Sequence, residues 1–159
     1  VVGSDLVTLE GAPYFVGRRF DLHRNKLTSL KHGPKMAMND YDVSNNQLSD
    51  LMYSPELVAG DFNVTNNPLK SLKGFPKEVK GTVGLPYDKS RPYGLLKLPT
   101  YDIAKGVYFE PVDNTEQNQK EADVLFKLVQ ARRNMGRAGV LKLQTALIEA
   151  GLDAWSKYE

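Results

Sequence analysis

The chain has 159 residues, 41% apolar and 25% charged, and its net charge is +2, the balance of an ordinary globular chain with too little excess charge to argue for a polyanionic partner. It contains no cysteine and only two histidines, His23 and His32, which removes disulfides, thiolate metal sites and cysteine nucleophiles and leaves little material for a histidine metal site or a Ser-His-Asp triad. No apolar run approaches the ~20 residues that cross a bilayer, so no membrane partner is expected.

Residues 1–5, Val-Val-Gly-Ser-Asp, show neither the charged start nor the apolar stretch of a secretory signal. From there an internal repeat dominates. Leu6, Leu27, Leu48 and Leu69 are spaced by 21 residues, and so are Leu9, Leu30, Leu51 and Leu72. Pro13, Pro34, Pro55 and Pro76 keep the same spacing, as do Phe20, Tyr41, Phe62 and Val83. Leu22, Val43, Val64 and Leu85 form a further column, and Asn25, Asn46 and Asn67 another, with Asp88 in its fourth slot. One period before Leu22 falls on Val1, so the first unit is expected to start inside a strand position.

Each column has a physical meaning. Phe62 and Val64 flank polar Asn63, the period-two pattern of a half-buried strand. Asn67 follows where the chain must turn, and a side-chain amide there can bond backbone groups of its own and the adjacent coil, so the asparagines are expected to stack as a ladder. Leu69 and Leu72 return to the interior. The proline four residues on breaks any helix on the return path, which is expected to be extended, turn-like or 3₁₀.

The pattern L/F-x-L/V-x-x-N-x-L-x-x-L, as in Phe62, Val64, Asn67, Leu69 and Leu72, resembles the leucine-rich repeat over roughly residues 1–90. Its short period and the proline after the last leucine resemble the short bacterial class. The wording Val58-x-Gly60-x-Phe62-x-Val64-x-Asn66-Asn67 is similar to repeat proteins encoded by tailed bacteriophages. The resemblance implies an α/β repeat fold, a short solenoid with a small parallel sheet followed by a C-terminal helical segment. Some bacterial effectors of this class carry a ubiquitin-ligase domain with a cysteine nucleophile, and that activity does not transfer to a chain without cysteine.

The fourth unit decays: Ser90 and Tyr93 stand where leucines are expected, and Pro86, Pro92 and Pro99 crowd the region. It is expected to be the last coil. The chain is therefore divided into a solenoid over 1–94, an irregular cap or linker over 95–113, where Leu95 to Leu98 and Val107 to Phe109 are expected to supply a final irregular strand pair or cap, and a helical subdomain over 114–159. In the last, Thr115 precedes a helix with Ala122, Leu125, Leu128 and Val129 on or beside one face, with Phe126 next to them. A break at 134–139 leads to a second helix over 138–150, and Gly151 suits its end. Leu152, Trp155 and Tyr158 are expected on one face of a final turn.

In a stacked solenoid the outward strand positions of successive coils share one face, the usual binding surface. That places Asp21, Asp42 and Asn63 in one column, with Arg19, Asp40 and Asp61 two residues before them and His23 two residues after Asp21. The patch is acidic, which favours a partner protein with a basic surface and disfavours a phosphate backbone. Calcium would need about 6–8 oxygens in a defined loop, and no such loop motif occurs, so no metal is expected. A second candidate is the basic group Arg132, Arg133, Arg137 and Lys142 around the helix break, a candidate nucleic-acid or partner contact. From residue 95 onward acidic and basic residues balance, which weighs against it. No phosphate loop, nucleophile motif or cofactor fingerprint is present, so the chain is expected to be a non-enzymatic binding module without cofactor. The resemblance makes it a phage-encoded factor that modulates or inhibits a host protein in the bacterial cytoplasm. The alternatives are a nucleic-acid-associated factor acting through the helical tail and a domain of a larger virion protein.

Overall fold

A computed structural model describes residues 1–157. They form a parallel β-solenoid of five rungs, followed by two helices. Strands β1 (Phe15–Val16), β3 (Met36–Ala37), β5 (Leu57–Val58), β7 (Glu78–Val79) and β9 (Asp102–Ile103) make one parallel sheet. Strands β2 (Phe20–Asp21), β4 (Tyr41–Asp42), β6 (Phe62–Asn63), β8 (Thr82–Tyr87) and β10 (Gly106–Pro111) make the other. The return path, expected to be extended, turn-like or 3₁₀, is extended and pairs into a sheet of its own. One finding differs from the sequence expectation. The fourth rung is followed by a fifth, and residues 95–113 hold a 3₁₀ turn at Leu98–Thr100 and both strands of that rung.

The columns are the core. Phe20 pairs with Tyr41 and Tyr41 with Phe62 in register; the first two rings stack at 5.3 Å and the second two meet tilted at 5.9 Å. Phe75 and Tyr101 extend this aromatic stack toward the fifth rung. Leu27, Leu30, Leu48, Leu51, Val43 and Val64 are completely buried. So are Ala37, Val58, Val79 and Ile103, an inward column of the second sheet.

Backbone groups find partners on the neighbouring rung around the whole circuit, including Met38 N–H to Val16 O, Phe20 N–H to Asp40 O and Gln47 N–H to Leu27 O. The proline column falls just after a turn closed by residues such as Gly33, whose N–H bonds Leu30 O at 3.0 Å. Proline there breaks no ladder bond.

The expected asparagine ladder is present. Asn46 Nδ2 donates to Leu22 O and Val43 O, both at 3.0 Å, while its Oδ1 accepts from Leu27 N–H at 3.0 Å. Asn67 repeats this one rung on, with Val43 O, Val64 O and Leu48 N–H. Asn25 reaches back to Val1 O and accepts from Ser4 and Leu6 N–H. Residues 1–6 therefore lie as a partial rung on the first full one. The ladder stops at Asp88, which has no amide to donate and bonds Ser90 and Arg91 instead.

Tyr41 interrupts an otherwise apolar column: its hydroxyl is buried with no hydrogen-bond partner among the described residues. An unsatisfied buried hydroxyl costs about 1–3 kcal/mol. Tyr41→Phe is therefore expected to raise the melting temperature by about 2–4 °C for each kcal/mol of that cost it relieves. A lower melting temperature would show that the hydroxyl is partnered after all.

The helical segment closes the far end of the stack. Helix α1 (Glu116–Gln130) is capped by Thr115, whose side chain accepts from Asn118 N–H, and it lies against β10. Helix α2 (Gly136–Glu149) lies against the 98–100 turn. Ala122, Leu125, Val129, Leu143 and Leu147 are buried, but Phe126 stays 40% exposed. Trp155 stacks on Tyr87 and meets Tyr93 edge-on, with centroids at 5.3 and 5.0 Å. Tyr158 lies outside the described residues.

Glu121 fastens α1 to the fourth rung. It accepts from the Tyr87 hydroxyl, from Lys89 Nζ at 2.9 Å and from Gln117 Nε2 at 2.7 Å. The Gln117, Tyr87 and Lys89 hydrogen bonds, in that order, hold its carboxyl down at about 2. A depressed folded pKa contributes stability above the ordinary carboxylate range and loses it as pH falls toward 2. Glu121→Gln should therefore lower the melting temperature at pH 7, with the gap to wild type closing between pH 4.5 and 2. A gap independent of pH would refute the role assigned to the charge.

Candidate functional site

The parallel register builds the site. Asp21 pairs with Asp42, Asp42 with Asn63, Asn63 with Gly84 and Gly84 with Tyr108. Inward neighbours at each step are core residues, so strand alternation turns this column outward. Arg19, Asp40, Asp42, Asp61, Asn63 and Tyr108 line a cleft of about 240 Å³. The structure thus brings together five of the seven residues selected on this face. Asp21 and His23 stand beside the cleft on the first rung.

Each acidic side chain is held by backbone. Asp42 Oδ1 accepts from Ser44 N–H at 3.0 Å and Ser44 Oγ at 2.7 Å, and Asn63 Oδ1 accepts from the same groups of Thr65 at 3.1 and 2.9 Å. Asp40 Oδ1 accepts from Asp61 N–H at 2.9 Å, and Asp61 Oδ1 from Thr82 N–H at 2.7 Å. These two bonds cross from rung to rung. They fit because Gly60 and Gly81 leave room: a Cβ on either would overlap the Asp40 or Asp61 carboxylate. The carboxylates are therefore fixed in place before any partner arrives.

Arg19 partly offsets them. Its guanidinium lies 3.1 Å from Asp21 and 3.5 Å from Asp42. Burial works to raise the Asp21 carboxyl, but hydrogen bonds from the His23 ring and backbone, with the charges of His23 and Arg19, bring it below the usual range.

Tyr108 is the residue that sequence reasoning missed. It belongs to the fifth rung, where the spacing widens to 24 residues, as Glu78 pairing with Asp102 shows. Its ring lies back over Gly84, where any Cβ would collide with the phenol. Burial, then the charges of Glu110, Asp42 and Asp61, push its hydroxyl up to about 12. The signal available in sequence was Gly84 itself: a bare position in an outward column leaves space for another side chain.

The basic group is used differently. Arg132 donates to Leu128 O at 3.0 Å and Lys142 O at 3.2 Å, tying the two helices across their break. Arg133 donates to Ile103 O and to Ala104 O at 2.8 Å, clamping the break to the fifth rung. Arg137 and Lys142 are exposed. No helix among the described residues is long and apolar enough to cross a membrane. No family model, curated protein or solved structure matches the chain.

Proposed function

We propose that the protein is a non-catalytic binding module that takes a basic patch of a partner protein onto its acidic sheet face. The observation that carries this is the convergence of Asp40, Asp42 and Asp61 with Asn63 and Tyr108 in one cleft. Carboxylates already immobilised by backbone bonds lose little side-chain freedom on binding. An acidic field speeds encounter with basic surfaces and repels phosphate backbones. Tyr108 adds an aromatic face against which a lysine or arginine can lie. On the resemblance of the repeat wording to phage-encoded proteins, the partner we propose is a host bacterial protein, modulated in the cytoplasm.

The test is capture from bacterial lysate by wild type and by two double variants. Asp42→Lys/Asp61→Lys reverses the charge. Asp42→Asn/Asp61→Asn removes it but keeps the acceptor oxygens that hold the backbone. Both variants, folded by circular dichroism, are expected to lose the partners that wild type retains, and the wild-type complex is expected to weaken with salt. Equal capture by all three proteins would rule the acidic face out as the binding surface.

A further inference from the structure

We propose that Asp21, His23 and Asp42 form a site for one divalent transition-metal ion, with zinc as the reference ion, and that Arg19 is the internal cation that leaves when the metal enters. One ligand atom from each of the three side chains lies within 4.8 Å of the other two. The set is assembled by topology: Asp21 and His23 share a face of the first rung, and Asp42 is the register partner of Asp21 on the second. None of the three is free to wander. Asp21 accepts from His23 N–H at 3.2 Å, Asp42 is held by Ser44, and the His23 ring meets Asp21 Oδ1 at 2.5 Å. Their side chains are 23%, 28% and 14% exposed, sheltered yet open to an entering ion.

Two features define the ligand. The first is charge. The Arg19 guanidinium reaches both carboxylates from a side chain that is 55% exposed, so the point where they converge already attracts a cation, held by a stem that can swing out. The second is donor chemistry. An imidazole nitrogen beside two carboxylate oxygens suits zinc, cobalt or nickel, whereas calcium and magnesium prefer all-oxygen shells. Zinc binds such ligands at about 2.0–2.2 Å, with water completing the shell. Asp42 keeps its Ser44 bonds through Oδ1 and offers Oδ2, the oxygen that Arg19 now faces, and a small turn of the His23 ring brings its nitrogen onto the same ion. The ion takes the place of the hydrogen-bond proton shared by His23 and Asp21, and that proton leaves to solvent.

Calorimetric titration of the metal-stripped chain with zinc chloride tests the site independently of any protein partner. One zinc per chain is expected. His23→Ala and Asp42→Asn should each weaken binding at least about tenfold, and His32→Ala should leave it unchanged. Arg19→Ala should tighten it by about tenfold, because a competing positive charge is gone. That exposed substitution keeps the test open should another variant misfold. As a second readout, cobalt should broaden the NMR signals of His23 and spare those of His32. Lack of zinc uptake at millimolar concentration, uptake indifferent to His23, or weaker uptake by Arg19→Ala would each overturn the proposal.

Discussion

Asn46→Ala is expected to remove about 3–5 kcal/mol of folding free energy. Asn46 is 7% exposed, and its amide joins the first and second rungs through Leu22 O, Val43 O and Leu27 N–H. Alanine orphans the buried Leu27 N–H, which costs about 1–3 kcal/mol, and removes one of the two amide donors that Leu22 O and Val43 O each receive, a further ~0.5–1.5 kcal/mol per lost bond, while Asn25 and Asn67 still reach those carbonyls. Whole domains are stable by only ~5–15 kcal/mol, so the variant sits near the edge of folding. Asn25→Ala should cost less, because the rung it reaches consists of residues 1–6, most of them exposed, where water can replace the amide. Urea unfolding of both variants checks this. A loss below ~1 kcal/mol for Asn46→Ala, or equal losses at the two positions, would refute the ladder as the main polar tie between rungs.

Trp155→Ala is expected to cost a similar amount, about 3–5 kcal/mol, but by another route. Trp155 is 3% exposed, stacked on Tyr87 and set edge-on to Tyr93. Its carbonyl accepts from Leu95 N–H at 3.3 Å, tying the chain end to the start of the fifth rung. Truncation removes both ring contacts and opens a cavity beneath the helical cap. The melting temperature should fall by roughly 10 °C, and the near-ultraviolet circular dichroism of the Tyr87–Tyr93 cluster should collapse. Trp155→Phe should retain most of the stability. Trp155 is the sole tryptophan, so its fluorescence reports cap docking directly. It should change together with backbone unfolding if cap and solenoid form one cooperative unit. An alanine variant with unchanged dichroism and melting temperature would sink the assignment.

The site was partly legible for a definable reason. Asp40, Asp42, Asp61 and Asn63 sit in units of equal length, so counting by 21 residues places them on one face. Tyr108 did not obey that count, because the fifth rung carries three extra residues relative to the fourth. The pairing of His23 and Asp21 with Asp42 could be listed from the sequence, but not their mutual distance. For the basic group, spacing located Arg132 and Arg133 at the helix break without revealing that both donate to backbone carbonyls.

The repeat period, the inward columns and the asparagine ladder were determined by the sequence alone, because every copy of a position meets the same environment one rung above and below. A periodic chain states its nearest-neighbour contacts in its spacing. The second sheet, the fifth rung, Tyr108 over Gly84 and the Tyr87–Tyr93–Trp155 seat of the cap were decided only in three dimensions. Each depends on where a break in the period lets distant segments meet, and that is settled by side-chain volume and backbone pairing, which no spacing rule encodes.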